Sequence, residues 1–249
     1  MTTALILLMV ALANHYFPKI PFITDFIKNK GTAWVKLYLE SSLNIFKRVS
    51  ILRGEVSAVL VILPVILITF LINNLFHLLL KEWGSIIFTS VVLYYCLNSN
   101  VEDDHDSILV LAHERTFGIF FWFAIFGATG AMLYWILTVV RAISDIIIIP
   151  IAGFQRCLNI MHGLAAWIPA RITGLIYALV GDFVRGFNCW CSYIKATTVP
   201  SSRVLLDCGQ SSLNSISSRE EELLVKRALI AWIILGMLIA LIIAEVILE

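Results

Sequence analysis

The sequence predicts an all-α protein, a polytopic membrane helical bundle with about five transmembrane helices in one domain over residues 1–249. Three observations lead there. Hydrophobic residues make up 60% of the chain and charged ones 14%, which is more apolar surface than a soluble domain of this length can bury. Several uncharged runs reach the roughly 20 residues that a helix needs to cross a hydrocarbon core. The net charge of +1, with no basic stretch interleaved with aromatics, argues against a nucleic-acid partner.

The elements follow in order. Ala4 to Ala13 is apolar but too short to cross, and it lacks the basic start of a cleaved signal peptide. Residues 14–55 hold seven Lys or Arg against three acids. Within them Trp34, Leu37, Tyr38, Ile45, Phe46 and Val49 recur at helical spacing, which predicts an amphipathic helix lying on the membrane surface or packed on the bundle. The first span is expected at about 56–80, bent at Pro64. After Lys81-Glu82 the chain should return through 83–101 as a tight helical hairpin. An acidic loop follows (Glu102, Asp103, Asp104, His105, Asp106), without the spacing of a calcium loop.

A third span is expected at 117–140, with small residues in two registers, Ala124 with Ala128 and Gly127 with Ala131, that would let a neighbour approach closely. Pro150 and Gly153 break the next apolar run into a re-entrant or interfacial piece, and 157–181 forms the fourth span. A Ser-rich linker leads to two overlapping Ser-x-x-Glu capping boxes at Ser217 and Ser218, where the helix that becomes the last span, 228–248, should begin. Lys and Arg counted between spans divide fourteen against three. The positive-inside rule then puts 14–55, 102–116 and 185–227 on the cytoplasmic face.

Ionisable residues at membrane depth are expensive and usually face a cavity or a partner. His113, Glu114 and Arg115 stand before the third span, and Arg171 follows Pro169, which is suited to the first turn of a helix. Asp182, three turns beyond Arg171, would project from nearly the same face. Arg141 and Asp145 form an i,i+4 pair. His113, Glu114, Arg115, Arg171 and Asp182 therefore outline a polar pocket in which Arg115 and Arg171 would hold an anionic group. Anchoring by snorkelling arginines and paired charges stands beside that reading for each residue. Asn73, Asn74 and His77 suit interhelical hydrogen bonds. The five cysteines form no disulfide framework, and the Cys189-x-Cys191 pair alone is thin for zinc. Nucleotide loops, zincin motifs and nucleophile elbows are missing from the sequence, so no catalytic residue, metal or cofactor is expected.

Two stretches carry a resemblance. His113-Glu114-Arg115-Thr116-Phe117-Gly118 running into Phe121-Trp122-Phe123, Gly127-Ala128-Thr129-Gly130-Ala131 and Tyr134 resembles the central motif of the AmpE proteins, bacterial inner-membrane proteins linked to β-lactamase regulation. Trp167-Ile168-Pro169-Ala170-Arg171-Ile172-Thr173 with Tyr177-Ala178-Leu179-Val180-Gly181-Asp182-Phe183 is similar to their second signature. The resemblance implies a non-enzymatic, multi-pass inner-membrane modulator of β-lactamase induction or cell-wall stress. Its implied partners are membrane lipid, a cell-wall-derived or other anionic ligand, and a membrane protein. AmpE proteins are in turn similar to the CobD/CbiB proteins of cobalamin biosynthesis, which makes an amide-forming synthase the alternative. This chain departs from that enzyme pattern, having neither an Arg-rich segment followed by Glu-Asn nor an Asp-Gly before the Gly-rich span.

Overall fold

The computed structural model describes residues 32–48, 55–99, 107–146, 153–194, 199–213, 215 and 217–248. The apolar run at 4–13, the acidic cluster at 102–106 and the segment around Pro150 lie outside them. The described residues are helical nearly throughout. They form α1 (Ala33–Arg48), α2 (Glu55–Asn98), α3 (Ile108–Ala112), a π-helical turn (His113–Phe117), α4 (Gly118–Ile146), α5 (Phe154–Val180), α6 (Phe183–Tyr193), α7 (Ser201–Ser211) and α8 (Ser218–Leu248). Among the described residues, three helical stretches are long and apolar enough to cross a membrane, 56–81, 108–144 and 154–180, with a shorter apolar helix over Trp83–Asn98. The molecule is an all-α membrane bundle.

Two of the long helices double back. α2 breaks at Lys81, where φ is 54° and ψ −139°. Across the break the Ser85 and Thr89 hydroxyls donate to Asn73 Oδ1 at 3.3 and 3.5 Å, and the Phe76 and Phe88 rings stack at 5.4 Å. The expected hairpin is present, closed by the interhelical hydrogen bonds that Asn73 suggested.

α4 breaks at Gly127 with nearly the same backbone, φ 62° and ψ −141°. Glu114 and Arg141, which a straight helix would hold about 40 Å apart by its rise, lie 3.4 Å from each other. The apolar run 117–140 is therefore not one straight crossing, as its lack of charge suggested, but the tip and inner parts of a second hairpin. A positive φ is open to glycine at little cost, so an apolar Gly-rich sequence reverses here without any polar loop. The two small-residue registers do not survive the break: Ala128 and Ala131 are buried, while Ala124 is exposed. Close approach is instead made at Gly118, where a Cβ would sit 2.3 Å from the Tyr134 ring.

α1 packs on the bundle. Val35, Leu39 and Leu43 are buried, Trp34 Nε1 donates to Tyr95 Oη at 2.6 Å and stacks on Trp135, and Tyr38 Oη donates to Val61 O at 2.8 Å. At the other end Glu220 N donates to Ser217 Oγ at 3.3 Å, so α8 starts at its capping box. One apolar core joins α1, α2, α4 and the first half of α5. A second joins α3, the π turn, the later part of α5, α7 and α8 around Phe117, Tyr177 and Trp232.

Candidate functional site

The π turn lies where the second hairpin packs on α5. A π turn carries one residue more than an α-helical turn and re-aims the side chains beside it. Here His113 and Glu114 turn inward, 1% and 5% exposed. From the returning arm, Arg141 reaches Glu114 through Nη2 at 3.4 Å and donates through Nη1 to His162 Nδ1, on α5, at 2.9 Å. A guanidinium can only donate, so His162 Nδ1 accepts and the imidazole is neutral, with its proton on Nε2.

Thr173 orders the second histidine by the same logic. Its single hydroxyl proton goes to Pro169 O at 2.8 Å, so its oxygen accepts from His113 Nδ1 at 3.2 Å. His113 Nδ1 is thereby a donor, and in the neutral imidazole Nε2 is the acceptor. That atom is buried and has no hydrogen-bond partner among the described residues; the same holds for Tyr134 Oη. The Tyr134 ring lies edge-on to His113, with centroids 6.4 Å apart, and 5.8 Å from His162. Three helical segments thus converge on an anion, a cation, two neutral imidazoles and a phenol, all inside apolar helices.

Pro169 is not the first residue of a helix but lies within α5. Having no N–H, it leaves the carbonyl of Ala165 unused in the helix ladder, and Trp122 Nε1 takes that oxygen at 2.9 Å. The hairpin is thereby pinned to α5 where the backbone most needs a donor. Near the end of the helix, Tyr177 Oη donates to Leu109 O at 3.0 Å.

Arg171 and Asp182 make their named contacts outside this cluster. Arg115 is half-buried. Arg171 is buried, with its guanidinium 4.1 Å above the Trp167 ring and Nη1 donating to Trp167 O at 3.1 Å. Asp182 does not continue α5, which ends at Val180; it caps α6, accepting from Arg185 N at 3.1 Å and Arg185 Nε at 2.8 Å. These hydrogen bonds hold its carboxyl below the ordinary carboxylate value. It also lines a pocket of about 160 Å³ with Ser212, Glu220 and Arg227. The expected i,i+4 partner of Arg141, Asp145, has a side chain outside the described residues. Sequence reasoning missed His162, Tyr134 and Thr173. His162 was open to discovery, since it is an ionisable residue in the middle of an apolar helix.

An ionised pair held between the two arms of a doubled-back apolar helix defines a membrane helical bundle with an internal polar site. The chain belongs to the AmpE family, described as regulatory signalling modulator proteins, whose pattern matches residues 99–247. It is also similar to a cobalamin biosynthesis protein CobD of Chromobacterium violaceum, 27% identical over 116 residues, covering 43% of this chain and 35% of that protein. A CobD of Stutzerimonas stutzeri is 24% identical over 111 residues, 45% of this chain and 37% of its own length. The chain thus spans little more than a third of these relatives. No solved structure matches it.

Proposed function

We propose that the chain is an inner-membrane modulator of β-lactamase induction or of the response to cell-wall stress, without an enzymatic activity of its own. The observation that supports this reading is the family match over 99–247, a region enclosing His113, Glu114, Arg115, Arg171, Asp182 and the residues packed on them. The signal is a cell-wall-derived or other anionic ligand, or a membrane protein partner. Arg115 and Arg171 supply the positive charge that would attract an anion. An anion that competes with Glu114 for Arg141 would loosen the closure of the second hairpin, and the altered bundle face would be the output. Segments 14–55, 102–116 and 185–227 face the cytoplasm in this reading. The Tyr177–Leu109 hydrogen bond supports a shared side for the last two, because it joins the start of α3 to the end of α5. Deleting the gene, or replacing Arg171→Ala, should alter β-lactam induction and tolerance; unchanged induction in both would remove the proposal.

The similarity to CobD favours a second reading, an amide-forming synthase acting on a corrinoid. It predicts that the chain restores corrinoid-dependent growth to a cell lacking that synthase, and failure to do so sinks it.

A further inference from the structure

The ends of α5 and α7 meet the first turns of α8 around the polar pocket that Asp182 lines. Asp182 N donates to Ser212 O at 2.8 Å, which ties the start of α6 to the end of α7. Gly181 allows that approach, since a Cβ there would be 2.4 Å from the same oxygen. On α8, Glu220, Leu224 and Arg227 complete the lining. Residues seven apart share a helix face at levels about 10 Å apart along its axis, so Glu220 and Arg227 line one pocket from two heights. Among the described residues neither the Glu220 carboxylate nor the Arg227 guanidinium forms an ion pair or a hydrogen bond, whereas Asp182 already holds Arg185. The pocket also lies at a boundary. The apolar helix 154–180 ends beside it, and the uncharged run of α8 starts at Ala228, directly after Arg227. Beyond, Ile230 and Ile234 of α8 are exposed, as is Leu179 near the end of α5. Arg227 is therefore the charge nearer the apolar surface, and Glu220 the one farther from it.

We propose that this pocket binds the headgroup of phosphatidylethanolamine, with the phosphate on Arg227 and the ammonium on Glu220. In that lipid the phosphate lies next to the acyl chains and the amine beyond it, the same order in which the pocket presents its cation and its unpaired carboxylate. A guanidinium matches phosphate oxygens with two parallel donors, and an ammonium brings three donors to carboxylates. The acyl chains continue along the exposed Ile230 and Ile234. Phosphatidylcholine keeps the phosphate but has no N–H to give Glu220, and phosphatidylglycerol brings no cation at all. The site does not rest on the signalling reading: apart from Asp182 it shares no residue with it, and the test leaves Asp182 unchanged.

The experiment purifies the full chain in mild detergent, adds phosphatidylethanolamine, phosphatidylcholine or phosphatidylglycerol with the same acyl chains in turn, and measures bound lipid by native mass spectrometry. The ethanolamine lipid should be retained about tenfold better than either of the others, the usual worth of one charge-assisted hydrogen bond. Glu220→Gln should erase its advantage over phosphatidylcholine, while Arg227→Gln should lower the retention of both. Neither side chain is buried, so both variants should keep the wild-type thermal midpoint. Soluble phosphoethanolamine, which lacks the acyl chains, should compete only weakly. Equal retention of the three lipids, a preference that survives both substitutions, or displacement of the lipid by phosphoethanolamine at equal concentration would overturn the proposal.

Discussion

The two helical hairpins reverse through the same backbone geometry and are closed by opposite chemistry. The first turns at Lys81 and is held by stacked phenylalanines and two hydroxyls on Asn73, with much of its outer surface exposed for lipid. The second turns at Gly127, is more deeply buried, and is held by a charged pair. The comparison teaches that a reversal in a membrane protein needs no polar loop when glycine supplies the positive φ. It also shows where a change is dangerous. Losing a hydroxyl from the first hairpin leaves neutral groups, whereas losing either charge from the second strands the other inside the bundle.

The largest effect should come from breaking that difference. Glu114→Ala removes one partner of a pair whose side chains are 5% and 21% exposed and should destabilise by about 3–5 kcal/mol, read as a lower thermal unfolding midpoint in detergent. Adding Arg141→Met should restore part of the loss, and a double-mutant cycle with no coupling would refute the pairing. Gly127→Ala places a Cβ at φ 62° and should cost about 1–3 kcal/mol of backbone strain although the space around it is open. At the other tip the sign reverses: Lys81 holds φ 54° without being glycine, so Lys81→Gly should raise the midpoint, by about 1 kcal/mol on the cost of the left-handed region. Equal responses at the two tips would show that their shared dihedrals are not what governs them. Asn73→Ala should cost about 0.6 kcal/mol, the usual worth of a hydrogen bond between membrane helices.

The smallest effect belongs to the half-buried Asp182 cap. A carboxyl held below its ordinary value stabilises the fold while ionised. That contribution is fully present above the unfolded value of about 4 and fades as pH falls through the lower folded one. Asp182→Asn should therefore slightly lower the midpoint near neutral pH and make no difference in strong acid, which a pH series of melting curves would resolve.

Composition and run length made the membrane class, the first hairpin and the start of α8 legible. Lys81-Glu82 marks a tip that must reach water, and Ser217 marks a cap through its own backbone geometry. Both are local signals. The second hairpin gave none, because its tip is as apolar as the helices on either side, and an uncharged run reads as one crossing whether or not it bends. The same blindness hid half of the polar cluster. His113, Glu114, Arg115, Arg171 and Asp182 could be picked out one by one as costly residues, since the expense of a charge in an apolar run is a property of the sequence. Their partners are a property of the fold. Arg141 meets Glu114 and His162, His113 meets Thr173, Asp182 turns away to Arg185, and Trp122 finds the carbonyl that Pro169 freed. Apart from the Asp182 cap, a local i,i+3 contact, these were decided only when the chain reversed at Gly127 and tertiary packing set distances that position along the chain does not encode.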